Sequence, residues 1–246
     1  MSPRIGPELR HAHKRELKVL GEAQADVDAI LAKYPNKRSA LPQLLFLAQS
    51  VEGYVTEEGM RDVGQILDIE PAEVLAVASF YTMFKKTPQG DYLISVCRNI
   101  SCTHLGGRRV LRALEDRLGI GAGQTTPDGR FSLEAAECLA TCDGAPSMQI
   151  NYEDFYKVTA DTALYLVDRI ERGDEVTSVA GATVKTAKET ARETALTGTQ
   201  HPTERMEPDS ARIVGGESPP ADLVPGFRPS VIGGDPHHQE AEDSDG

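Results

Sequence analysis

Two stretches decide how this chain is read: residues 92–102, YLISVCRNISC, and residues 131–142, FSLEAAECLATC. Tyr92 to Cys97 alternates and is rich in β-formers, which predicts a strand that delivers Cys97 at its end. Phe131 to Cys138 predicts a second strand with a cysteine at its exit. The only cysteines are Cys97, Cys102, Cys138 and Cys142, spaced C-x4-C, then 35 residues, then C-x3-C. Each pair follows a strand, so both belong on loops at one edge of a sheet, where four thiolates can face one centre.

The spacing discriminates among uses of four cysteines. Disulfides need an oxidising compartment, yet MSPRIGPELRHAHKREL at the start carries charges and prolines where a secretory leader has its apolar run. A thioredoxin redox pair needs C-x-x-C, which neither pair has. A Rieske centre needs two histidines beside two cysteines. Cys102-Thr103-His104 offers one and Cys138-Leu139-Ala140-Thr141-Cys142 offers none, so His104 reads as an exposed or helix-start histidine. The plant-type ferredoxin run is matched only in its first interval. Structural zinc sites draw on tighter C-x2-C knuckles or Cys/His mixtures. On spacing alone a zinc-binding interaction module stays open beside an all-cysteine iron–sulfur centre, and the looser intervals suit the second better.

Working outward, residues 1–86 read as a helical bundle. Leu17, Leu20, Val27, Ile30, Leu31 and Tyr34 form one stripe, ended by Pro35-Asn36. Leu41, Leu44, Leu45, Ala48 and Val51 form a second before Gly53. Thr56 is placed to cap a third helix, and Pro71 to open a fourth. Phe80, Tyr81, Met83 and Phe84 make a dense apolar patch read mainly as internal packing. Beyond the turn at Thr87-Pro88-Gln89-Gly90, the order is strand (92–97), helix (about 103–118), strand (131–138), strand (148–152), a hairpin turn over 151–154, strand (155–158) and helix (159–172). That order predicts a small α/β sandwich, and the chain as a whole is α+β. Gly106 and Gly107 either let backbone approach the centre or allow close helix packing.

The balance of 26 basic and 38 acidic residues, net charge -12, disfavours nucleic acid as a partner. No apolar run approaches the ~18–20 residues of a membrane span, so the chain is expected to be soluble or held at a membrane through partners. Residues 176–246 lose periodicity and end HHQEAEDSDG, predicting a disordered or extended acidic low-complexity tail in which His237 and His238 are solvated.

The strings VASFYTMF (77–84), ISVCRNISC (94–102) and ECLATCDGAPSMQIN (137–151) resemble the thioredoxin-like 2Fe-2S subunits, of the E type, of bacterial NADH:quinone oxidoreductase, respiratory complex I. The resemblance spans roughly residues 12 to 175. It implies a thioredoxin-like 2Fe-2S domain over 87–175, with Cys97 and Cys102 on one iron and Cys138 and Cys142 on the other. It implies one 2Fe-2S cluster, no catalytic residue in this chain, and FMN and NADH bound by a flavoprotein partner of the F type, beside other peripheral-arm iron–sulfur subunits. The absence of G-x-G-x-x-G after a strand and of a Walker loop fits that division. A low potential, around ~-400 mV, is expected of four thiolates in an acidic chain. The implied location is the cytoplasmic face of the bacterial inner membrane, peripheral through the complex. Similar domains serve soluble NAD-linked hydrogenases and formate dehydrogenases. Asp143-Gly144 departs from what relatives more often carry.

Overall fold

Residues 24–80 are largely helical because their apolar residues recur at helical spacing and their breaks carry suitable caps. The computed structural model describes residues 15–198. α1 (Gln24–Leu31), α2 (Leu41–Glu52), α3 (Glu57–Leu67) and α4 (Pro71–Phe80) follow one another. Thr56 caps α3, its hydroxyl accepting from the Gly59 N–H at 2.9 Å, and Glu57 and Glu58 occupy the first turn at the positive end of the helix dipole. Gly53 ends α2 in the left-handed region, and Pro71 opens α4. Leu20, Ile30, Leu44, Leu45, Val63 and Val74 close a core with no solvent exposure. Each such side chain contributes about 1.5–3 kcal/mol relative to an exposed one.

Two expectations here are corrected. The periodic stripe groups Leu17 and Leu20 with α1, but the helix starts at Gln24. Residues 15–20 are held instead by Asp62 of α3, which accepts from the Val19 and Leu20 N–H groups at 2.7 and 3.0 Å and from the Arg15 guanidinium at 2.5 Å. Of the aromatic patch, Phe84 is buried edge-on against Phe46, with Met83 packed on the same core. Phe80 and Tyr81 are 78% and 44% exposed. The backbone turns extended at Tyr81 as α4 ends, leaving these two rings outside while the chain returns with Phe84.

A four-stranded sheet of order β2-β1-β3-β4 follows, made of β1 (Tyr92–Cys97), β2 (Phe131–Ala136), β3 (Met148–Ile150) and β4 (Glu153–Phe155). β1 is central and buried on both faces from Leu93 to Cys97, pairing in parallel with β2 and antiparallel with β3. The expected fourth strand lies two residues early. Asn151 and Tyr152 both adopt left-handed φ, 49° and 72°, the tight two-residue hairpin geometry that leaves β4 to begin at Glu153. The single helix expected from 103 to 118 is two, α5 (Ile100–His104) and α6 (Gly107–Leu118), because Gly106 between them takes φ 106°. α6 and α7 (Ala160–Arg172) pack on each other and on the sheet around Ile94, Val96, Leu133, Met148, Ile150 and Phe155.

Order does not stop near residue 175 as composition predicts. α8 (Ala187–Thr197) packs on α2, and Ala195 joins the helical core. Its lead-in is tied to the sheet by Asn151, whose side chain accepts from Leu93 N–H and donates to the carbonyls of Asp91 and Lys185. The Thr/Glu/Lys-rich sequence hides a helix whose buried stripe is only alanine. His237, His238 and the rest of the predicted tail beyond 198 lie outside the described residues.

Candidate metal centre

Parallel pairing decides where the cysteines go. β1 and β2 run side by side in one direction, with Cys97 opposite Ala136, so both strands end at one edge and both cysteine loops leave from it. Cys97 closes β1 and is buried. Cys102, also buried, sits in α5, whose first N–H donates to the side chain of its N-cap Asn99 at 2.7 Å. β2 ends at Ala136, two residues before Cys138, which is exposed on the following loop. Cys142 is exposed at the start of a 3-10 turn, Cys142–Gly144. All four are free thiols.

The loops are fastened to each other. Arg98, directly after Cys97, pairs with Glu137, directly before Cys138. The Cys97 thiol faces the Glu137 carbonyl at 3.9 Å, and Thr103 Oγ1 donates to the Arg98 carbonyl at 2.7 Å. Ser147, almost fully buried, brings its hydroxyl 3.5 Å from the Cys102 sulfur. Ala140 takes a left-handed φ of 60°, a conformation costing an alanine about 1 kcal/mol or more. In that conformation its N–H donates to the Cys138 sulfur at 3.4 Å.

Glycines set two close approaches. A Cβ on Gly107 would lie 2.8 Å from the carbonyl oxygens of both Cys97 and Cys102, so α6 starts directly against the first cysteine loop. Of the two roles predicted for this glycine, the structure shows close packing, of the start of α6 on the end of β1 and on the backbone of α5. A Cβ on Gly144 would stand 2.3 Å from the Tyr156 ring, so the departure at Asp143-Gly144 is filled by that aromatic ring.

The four sulfurs share one electrostatic neighbourhood. The Cys142 thiol is pushed above the ordinary thiol range, first by charge on Cys138, then by desolvation, a hydrogen bond with Cys138, and charge on Cys102 and Cys97. A cation placed among them would relieve that repulsion. Among the described residues, no three His, Cys, Asp or Glu side chains gather as ligands of a single ion. A centre with two irons asks for thiolates in two pairs, and the chain supplies one pair per loop. Free thiols at one edge, with a backbone N–H and a hydroxyl already directed at sulfur, fit an iron–sulfur group in donor chemistry.

His104 is exposed at the end of α5, as its sequence position predicts. Spacing did not point to Arg98, Glu137, Thr141 or Ser147, whose one available signal is adjacency to the cysteine motifs. A cavity of ≈ 570 Å³ opens between α2, the β3–β4 turn and α8, lined by Phe46, Gln49, Met83, Lys85 and Tyr152, and no cysteine lines it. No helix among the described residues is long and apolar enough to cross a membrane.

Residues 27–171 match the family described as thioredoxin-like [2Fe-2S] ferredoxin. The chain is 39% identical over 186 residues to the E-type subunit of NADH-quinone oxidoreductase from Mycobacterium tuberculosis, covering 76% of this chain and 74% of that one. It is 38% identical over 156 residues to a like-named subunit of NADH-quinone oxidoreductase from Rhizobium meliloti, covering 63% and 92%. Among solved structures, an NAD+-reducing [NiFe]-hydrogenase in the H2-reduced state is similar at 26% identity and a TM-score of 0.48, over 54% of this chain and 22% of that one. That likeness is too slight to carry an argument.

Proposed function

The chain belongs to the thioredoxin-like [2Fe-2S] ferredoxin family, and from that premise we propose that it is a one-electron carrier subunit of an NADH:quinone oxidoreductase, respiratory complex I. Cys97, Cys102, Cys138 and Cys142 are its cluster ligands, one pair per iron. The observation that carries this reading is the parallel exit of β1 and β2, which presents both cysteine loops at one sheet edge. A bound 2Fe-2S centre supplies one-electron redox chemistry. The residues of this chain do the rest. Arg98 and Glu137 hold the loops together, Ala140 N–H donates to the Cys138 sulfur, and Ser147 Oγ lies at hydrogen-bond distance from the Cys102 sulfur. Cys138 and Cys142, exposed, mark the side open to an electron partner. That partner is a flavoprotein carrying FMN and NADH, within a peripheral arm on the cytoplasmic face of the membrane.

The test is an electron paramagnetic resonance spectrum of the anaerobically purified full chain before and after dithionite, with iron and acid-labile sulfide assays. A rhombic signal in the reduced state alone, with two irons and two sulfides per chain, is expected. It should be lost when Cys97, Cys102, Cys138 or Cys142 is replaced by serine. Zinc with neither signal nor sulfide would return the chain to the class of structural modules. Copurification of an NADH-oxidising flavoprotein with membrane-arm subunits is expected of the native assembly, and copurification with a hydrogenase or formate dehydrogenase subunit overturns the assignment to complex I.

A further inference from the structure

Among the described residues, Thr141 Oγ1 is the one buried side-chain oxygen or nitrogen with no hydrogen-bond partner. The residue is 8% exposed and sits between Cys138 and Cys142, immediately before the second of them. A buried hydroxyl left unpaired is costly and rare in native proteins, and calls for a partner outside the protein atoms. Of the other hydroxyls at this edge, Ser147 Oγ has its partner in the Cys102 sulfur at 3.5 Å and Thr103 Oγ1 in the Arg98 carbonyl at 2.7 Å. Thr141 has no such bond to any of the four thiols, although it lies in the loop that carries two of them.

We propose that the Thr141 hydroxyl donates a hydrogen bond to an inorganic sulfide of the bound iron–sulfur centre, and so acts as a positioning residue that raises the centre's reduction potential. The inference rests on the carrier reading above. The chain's own thiolates leave the hydroxyl unclaimed, and the acceptor that the donor set implies at this edge is sulfide. Reduction adds one negative charge to the centre, and a donor aimed at sulfur stabilises the more negative form, so its removal shifts the couple downward.

The experiment is a redox titration of the full chain, followed by electron paramagnetic resonance, for the parent protein and for Thr141→Val, Thr141→Ala and Thr141→Ser. At the parent midpoint, Val and Ala are expected to lower the ratio of reduced to oxidised centre about tenfold, ~59 mV for one electron, while Ser keeps the parent value. Iron–sulfur stretching bands in resonance Raman should shift in heavy water less for Val or Ala than for the parent. A midpoint and isotope shift unchanged in variants that retain two irons and two sulfides would overturn the inference and leave the carrier reading standing. A parent chain without iron and sulfide would overturn both. Should the Val variant fail to assemble, Ala and Ser decide, since both lack the threonine methyl and differ from each other only by the hydroxyl.

Discussion

The Lys85 ammonium stands 2.5 Å from the Glu134 carboxylate, so the segment leaving the helical core is fastened to the strand that leads toward Cys138. The lysine side chain is 16% exposed and the glutamate 37%. Ser95 Oγ donates to the same carboxylate at 3.3 Å, and the Lys85 N–H donates to Gln49 at 2.8 Å. Replacing Lys85 by methionine keeps the apolar stem and removes the charge. The carboxylate can turn to water, so the penalty of an orphaned buried ion does not apply in full, and a loss of about 1 kcal/mol is expected. The urea midpoint should fall at unchanged slope, with the difference shrinking in concentrated salt. An unchanged midpoint at low salt would show that the pair contributes nothing.

Gly107 gives a sharper case, because two effects oppose each other. Alanine is favoured over glycine in helices by about 1 kcal/mol. Here its Cβ would press on two backbone carbonyls at 2.8 Å, and backbone yields less readily than the tip of a flexible side chain. Overpacking of that kind costs about 1–3 kcal/mol, so Gly107→Ala should be destabilising. It should also lower the iron and sulfide held per chain, since the carbonyls belong to Cys97 and Cys102. Gly119→Ala is the control. It meets no atom within 4 Å, and its penalty comes from φ +67° alone. Its cluster content should match the parent, and an equal loss in both variants would remove the link between Gly107 and the cysteine loop.

Asp62 is fully buried and accepts from two backbone N–H groups and a guanidinium, all belonging to residues 15–20. Removing the carboxylate leaves the buried Val19 and Leu20 N–H groups unsatisfied, at about 1–3 kcal/mol each, while Arg15, 30% exposed along its side chain, keeps its bonds to Glu58. Asp62→Ala is therefore expected to be the most destabilising of these substitutions by urea denaturation. Asp62→Asn, which keeps one acceptor oxygen, should cost less. Amide exchange at Val19 and Leu20 should accelerate in both, more strongly in the alanine variant. Unchanged protection there would mean that the segment is held by its apolar side chains instead.

These residues show what the sequence makes legible. The strands that lead into the cysteine loops, the Thr56 cap and the Pro71 helix start are readable because each is a local signal, set by neighbours within a few positions. The shared edge of the two cysteine loops is expected because both follow strands, whereas the parallel pairing that puts them there is a long-range fact no local signal carries. Asp62 is not legible. A lone acidic residue on an amphipathic helix reads as solvated, and nothing local says that residues 15–20 will fold over it. α8 escapes for the opposite reason. Its polar composition looks like a tail, and its stability comes from small side chains against α2 and from a cap, neither of which periodicity of large apolar residues detects. Phe80 and Tyr81 depart from the expected packing because aromatic content predicts burial only while the helix continues, and α4 stops at Phe80.

The cap of α8 carries a pH dependence of fixed sign. The Glu189 carboxylate accepts from the Thr186 hydroxyl at 2.7 Å and the Thr186 N–H at 2.9 Å. Those bonds hold its pKa below the ordinary carboxylate range, the hydroxyl first and the backbone N–H second, with Lys185 adding a smaller pull and desolvation opposing them. A carboxylate whose pKa is depressed in the folded state stabilises fully above its unfolded value, near ~4.3, and loses that contribution as pH falls through the lower folded value. The helical backbone shifts of α8 in nuclear magnetic resonance spectra should therefore weaken first as pH drops below about 4. α7 supplies an internal control, because its capping box is built from Thr159 and Thr162, whose hydroxyls do not titrate in this range. Glu189→Gln keeps a capping amide without a titrating group, so it should flatten the α8 profile. If α8 in that variant still melts over the same range, the transition belongs to another carboxylate and the cap is not its cause.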